Sequence, residues 1–324
     1  GASRPGRGRD AVFRRLLQPF RPRRHDPGGG MMLRPATLGA LCAVAYTLLI
    51  SGADGITKAL AAGMAAPQMY ALSGGIVAAL AFATARTRGP AALHVSDPGV
   101  MAWRAGLTVL ACVAFFCAFR LLPLAELFVF IALMPLVAGI LSGPLLGEPV
   151  RPQGWAALVT GLIGMLCLFP PGSASLGAGH AIALAACLSG NGSMVLARRL
   201  SRSGTGDLAQ VFYPNLAICL GMTAFLPFVL RPMGAEALCL IVAYALFLFF
   251  ARWVLVAALA RLPAYVVTLL LNLQFVWMVL LGAVFFGEWP AANVYVGAGI
   301  VAGSGLYLLW DRLLPETQGR TARA

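Results

Sequence analysis

The chain has 324 residues, 60% of them hydrophobic and only 11% charged, with a formal net charge of +13. Soluble domains carry roughly 25% charged residues, so this composition excludes a water-soluble surface and makes lipid the natural solvent. Eight Arg and two Asp fall within residues 1–30, leaving 16 basic and nine acidic residues for the rest; the excess charge belongs to a tail beside a membrane, and without aromatic interleaving it implies no nucleic-acid partner.

Residues 1–36, rich in Arg, Pro and Gly, are read as a disordered basic tail. Met31 and Met32 offer a translation start downstream of most of it. The first apolar run, residues 38–60, is 23 residues long and covers a hydrocarbon core of about 30 Å at the helical rise. It contains Asp54 and Lys58, four apart on one helical face with the acid first, the order that favours pairing. Charges inside spans are costly and by default mark a substrate or ion path. Asp54 is therefore a candidate proton carrier, with H+ as the candidate coupling ion. Lys58, the sole lysine among 24 basic residues, is a second path candidate, although near the outer end of its helix it is also placed to snorkel.

Further spans are predicted at residues 68–85, 101–119, 127–146, 153–169, 181–197, 208–230, 237–259, 265–286 and 294–309, joined by short connections that leave no room for a soluble domain. Arg104 opens the third span and is read as an interfacial anchor. In the seventh, Tyr213 and Asn215 flank Pro214, where a freed backbone carbonyl suits a cavity lining. Arg252 lies about 10 Å from the end of the eighth span, beside Trp253. It either meets an anionic substrate group or snorkels to headgroups. Asn272, Gln274 and Trp277 interrupt the aliphatic ninth span; Gln274 and Trp277 share a face suited to a planar solute, while interhelical glue is the competing role. Gly299 and Gly303 form G-x-x-x-G in the last span, a close-packing motif that serves either within the chain or in a homodimer.

With the N-terminus in the cytoplasm, the inside segments collect Arg86, Arg88, Arg151, Arg198, Arg199, Arg202, Arg261, Arg312, Arg320 and Arg323, whereas the outside loops keep Arg120 and Arg231. That asymmetry orients ten spans with both termini cytoplasmic. The chain also repeats itself. Leu122-Pro123 and Gly147-Glu148 recur 140 residues later as Leu262-Pro263 and Gly287-Glu288, so a helix was copied together with its entry and exit turns. Residues 37–171 and 172–312 then form two five-helix units, and residues 313–324 a cytoplasmic tail. Five being odd, the second unit enters the membrane upside down relative to the first, the arrangement that supports alternating access.

These features resemble the EamA branch of the drug/metabolite transporter superfamily. The resemblance rests on the five-plus-five spans, the paired Leu-Pro and Gly-Glu signatures, the stretch Ser51-Gly52-Ala53-Asp54-Gly55-Ile56-Thr57-Lys58 and the segment 115–148, and covers roughly residues 38–309. It implies an all-α integral membrane bundle with a central cavity, moving amino acids, nucleobases, vitamins, S-adenosylmethionine or similar small-molecule solutes across a bacterial inner membrane. Ser73 departs from it, since many relatives carry Arg in the second helix.

Seven cysteines without C-x-x-C spacing and three scattered histidines give no metal site or disulfide framework, and no cofactor motif is present. Gly204-Thr205-Gly206-Asp207 matches the string of aspartyl intramembrane proteases but lies in a loop without a second acid, so no enzyme is expected. With no Walker motif, transport must be gradient-driven. The expected function is secondary transport of a small polar or amphiphilic metabolite, with export of amino acids or related metabolites as the first reading. Uptake of a vitamin- or nucleoside-like solute such as riboflavin or S-adenosylmethionine is its alternative, and a non-transporting sensor or scaffold the reading of another class.

Overall fold

The computed structural model describes residues 35–61, 64–121, 124–167 and 177–277 together with most of 295–310, and the described residues contain helices and no strands. The elements are α1 (Pro35–Ala61), α2 (Ala66–Arg88), α3 (Pro98–Leu121), α4 (Leu124–Leu146), α5 (Pro152–Cys167), α6 (Ala178–Arg202), α7 (Asp207–Thr223), α8 (Ala235–Arg261) and α9 (Ala264–Leu271). Residues 295–297 and 299–307 are helical as well and form α10. Among the described residues, five helices are long and apolar enough to cross a membrane: Pro35–Ala53 within α1, then α2, α3 up to Ala118, α6 and α8. This is a multi-pass membrane protein.

Local sequence sets the helix ends. Pro67 occupies the first turn of α2, where a missing N–H costs nothing, and Gly89 ends that helix at φ 92. Gly147 ends α4 at φ 64, a left-handed conformation that favours glycine, and the turn folds back so that Glu148 N–H donates to Ser142 O at 3.2 Å.

Two predicted spans are interrupted. The run expected at 208–230 is helical only to Thr223, turns at Ala224 and Phe225, and resumes as the single turn Leu226–Val229. Pro227 explains this: it has no N–H for the Thr223 carbonyl, and its ring would clash there. The run expected from residue 265 tightens at Asn272, whose carbonyl accepts from Phe275 N–H at 3.1 Å before helix continues over residues 273–277. Asn favours such local turns because its side chain competes with the helical ladder.

The helices pair across the middle of the chain. The most extensive contacts run between α3 and α6, α1 and α8, and α2 and α7; α4 also meets α6 and α9, α3 meets α7, α2 meets α8, and α1 meets α9. One apolar core joins α1, α4, α5, α6, α9 and the end of α8 around Leu158, Leu259, Tyr265 and Leu269. A second joins α1, α2, α7 and the stretch of α8 from Ile241 to Val256 around Val77, Val211 and Ile241. Large apolar side chains such as Leu48, Leu110, Ile140, Leu220 and Phe250 are exposed on the outside, the pattern of a bundle solvated by lipid.

Helices α5 and α10 meet through glycine. A Cβ on Gly164 would lie 2.7 Å from Ile300 and 3.0 Å from the Val301 backbone nitrogen, and one on Gly161 would lie 2.6 Å from Leu269. Gly299 and Gly303, by contrast, are exposed with no atom within 4 Å of a built Cβ. Their motif therefore makes no close contact among the described residues.

At one end of the bundle the loops after α2 and α6 touch. Gly206 N–H donates to His94 O at 3.0 Å, and Ser96 Oγ lies 2.6 Å from both Ser203 Oγ and Thr205 Oγ1. A Cβ at Gly206 would stand 2.4 Å from Ala92 O, so only glycine fits.

Candidate functional site

Helix α7 runs unbroken through Pro214, which lies inside it. Without an N–H, Pro214 leaves the carbonyl of Gln210, one turn earlier, without its helical donor. Arg104 of α3 fills that place, its Nη1 donating to Gln210 O at 2.8 Å. Arg104 is only 8% exposed, which overturns its reading as an interfacial anchor. Just beyond the proline, Asn215 is buried; its Nδ2 donates to Val211 O at 2.6 Å and its Oδ1 accepts from Arg252 Nη1 of α8. Arg252 thus reaches into the bundle rather than snorkelling outward. The two guanidinium groups flank one turn of α7, near enough that the charge on Arg252 acts on Arg104.

Neither arginine meets a carboxylate among the described residues. Arg104 Nε and Gln210 Oε1 are buried without a hydrogen-bond partner, as are Asn191 Oδ1 in α6 and Asn272 Nδ2. Native interiors leave few such atoms. A hydroxyl pair, Thr108 Oγ1 and Ser193 Oγ at 2.6 Å, joins α3 to α6 beside Arg104, whose carbonyl both hydroxyls contact.

The other predicted path residues are dispersed. Trp253 packs on Phe249 with ring centroids 5.6 Å apart and carries Arg88 over its face at 4.5 Å, an aromatic anchor rather than a neighbour of the Arg252 guanidinium. Tyr213 packs on the apolar cluster of Val100, Met101, Leu196 and Leu200. Asn272 is buried at the turn after α9, and Gln274 is half-buried. Trp277 is committed to α1, its indole N–H donating to the buried Thr47 Oγ1 at 3.0 Å, which is the glue role weighed for this helix. Asp54 and Lys58 belong to α1, but their side chains lie outside the described residues, as do Pro123, Gly287 and Glu288.

The copied motif residues that are described serve a tie between helices. Glu148, just past the end of α4, accepts from Arg198 through both carboxylate oxygens, at 2.7 and 2.6 Å, and from Arg202 at 2.8 Å. Arg198 Nη1 also donates to the carbonyls of Leu259 (2.8 Å) and Leu262 at the end of α8, where the helix dipole is negative. Pro263 caps the start of α9. A cavity of about 410 Å³ opens beside this tie, lined by Ala36, Glu148, Pro149, Arg198, Arg261, Leu262 and Pro263.

Sequence reasoning missed Gln210 and Asn191, treated Arg104 as an anchor, and counted Arg198 only as loop charge. One signal pointed to Arg198: it stands 140 residues after Lys58, the same offset that relates the copied turns. Asn191 had no such signal.

A bundle of apolar, lipid-facing helices with a few charges turned into it defines the class: a polytopic α-helical membrane protein. No protein-family model matches the chain. A riboflavin transporter of Rhizobium johnstonii is 25% identical over 226 residues, covering 67% of this chain and 68% of its own. A solved crystal structure superposes on 86% of this chain and 99% of its own with a TM-score of 0.73 at 22% identity, a likeness of fold.

Proposed function

We propose that the chain is a gradient-driven secondary transporter of a small polar or amphiphilic metabolite, built as ten spans in a five-plus-five inverted repeat and working by alternating access in a bacterial inner membrane. The observation that carries this reading is the pairing of the helices. Exchanging α1 with α6, α2 with α7, α3 with α8 and α4 with α9 turns the α1–α8 contact into α6–α3, turns α3–α7 into α8–α2, turns α4–α6 into α9–α1, and leaves α2–α7 and α4–α9 as they are. Each resulting pair is among those in contact. A two-fold relation of this kind lets two similar halves exchange conformations around a central site. The likeness to a transporter supports the same reading, and membership of the EamA branch remains part of it.

For the solute, the first reading is an amino acid or related metabolite, moved outward. The second, uptake of a vitamin-like solute, is favoured by the name of the Rhizobium johnstonii relative. The test is reconstitution into proteoliposomes with radiolabelled amino acids, riboflavin and nucleosides under imposed solute, proton and sodium gradients. Gradient-dependent flux of one solute class is expected. Saturable binding without flux under every gradient would replace the carrier by a sensor.

A further inference from the structure

The interior of this bundle holds two cations that meet no carboxylate among the described residues. Each guanidinium has five N–H donors, and among the described residues Arg104 and Arg252 each make a single side-chain hydrogen bond, to Gln210 O and to Asn215 Oδ1. If Arg104 served only to satisfy the carbonyl freed by Pro214, a neutral amide donor would do so with far less desolvation. A second cation from α8, acting on Arg104 through space, makes that purely structural role costlier still. Nor is Arg252 on its way to the headgroups: it stands nine residues before the end of α8 at Arg261, about 13 Å deep at the helical rise, and its guanidinium is held at Asn215, itself 1% exposed. The groups that repay such an arrangement are planar or tetrahedral oxyanions, which guanidinium forks bind in pairs of hydrogen bonds.

We propose that Arg104 and Arg252, which bond α7 at Gln210 and Asn215 on either side of Pro214, form a binding site for the anionic group, a carboxylate or phosphate, of the transported solute. This rests on the carrier reading and narrows it to anionic or zwitterionic solutes. Pro214 gives the site its geometry, since the missing hydrogen bond that frees the Gln210 carbonyl draws Arg104 onto the same helix that holds Arg252 at Asn215. Anion entry supplies acceptors for donors such as Arg104 Nε that the protein leaves unused.

The test uses the purified full chain in phosphatidylcholine nanodiscs, following the thermal unfolding midpoint during titration with succinate, L-glutamate or inorganic phosphate, and with choline and ribitol as non-anionic controls. At least one anionic probe should raise the midpoint saturably, with the controls inert. Arg252→Gln should weaken that probe tenfold or more, and Arg252→Lys should retain part of the affinity. Arg104→Gln should match Arg252→Gln where it folds; where it does not, the Arg252 series decides alone. No response to any anion, or an undiminished response in Arg252→Gln, overturns the site. A response that appears only when phosphatidylglycerol is added to the disc, and never with soluble anions, assigns the arginines to a lipid headgroup instead and also overturns it. Flux separates the two layers of the argument. Arg252-dependent anion binding with no flux in proteoliposomes removes the carrier and leaves an anion site. Flux of neutral solutes that Arg252→Gln leaves unaltered keeps the carrier and removes the site.

Discussion

Two arginine clusters in this molecule solve the problem of a buried charge in opposite ways. At the end of the bundle where α4, α6 and α8 terminate, Arg198 has a carboxylate through two bonds and two backbone carbonyls, and Arg202 shares the same carboxylate. Deeper in, Arg104 and Arg252 have one neutral acceptor each among the described residues. The first cluster is complete, and its work is to join three helices. The second meets no carboxylate among the described residues, and a charge left incomplete inside a membrane is more informative about function than one that is satisfied.

The comparison breaks most directly at Glu148. Glu148→Ala should strand Arg198, whose side chain is 9% exposed, and cost about 3–5 kcal/mol, the penalty for removing one partner of a buried pair. A large fall in the thermal midpoint is expected, and the Glu148→Ala/Arg198→Ala double variant should lose less than the sum of the single ones. Additive losses would mean that the cluster is not a unit. Arg252→Gln should instead leave the midpoint of the unliganded protein unchanged or raised, because it removes a charge that meets no carboxylate among the described residues.

Smaller effects sharpen the same contrast. Gly164→Ala should cost about 1–3 kcal/mol by pushing α10 off α5, where a new Cβ would meet Ile300 at 2.7 Å; Gly303→Ala, with open space around it, serves as the neutral control. Pro214→Ala restores the helical donor to Gln210 and displaces Arg104. A helical proline costs about 3 kcal/mol and a hydrogen bond to a charged group contributes about 1.5–3 kcal/mol, so stability should shift by only about 1 kcal/mol in denaturation while flux falls. A stability change beyond that with normal flux would detach the proline from the site. Smallest of all, Thr47→Val should cost about 1 kcal/mol by removing the acceptor of the Trp277 indole, read in the same unfolding assay.

The helices were legible because hydropathy over about 20 residues is a strong local signal, and residues 68–85 and 237–259 were found within a few positions of α2 and α8. The interruptions were less so. Pro227 and Asn272 sit in runs apolar enough to read as continuous, and whether a helix survives a proline depends on what satisfies the carbonyl one turn back. Pro214 shows the dependence from the other side: the freed carbonyl was foreseeable, but its partner came from α3, more than a hundred residues away. Arg104 looked like an anchor because depth along one helix says nothing about which way the side chain turns. The Glu148 tie was visible only as a Gly-Glu pair that recurs in the sequence, since recurrence marks a position while the partner is chosen by packing.

The contact between the loops after α2 and α6 has a mechanical consequence. Gly206 rests on the Ala92 carbonyl with no room for a methyl group, and a backbone bond with a chain of three hydroxyls fastens the same place. Sliding these loops past each other would rupture all of those bonds together, whereas tilting the helices about the junction would spare them. The helices that lead into and out of these two loops are therefore fastened to one another at this end of the bundle.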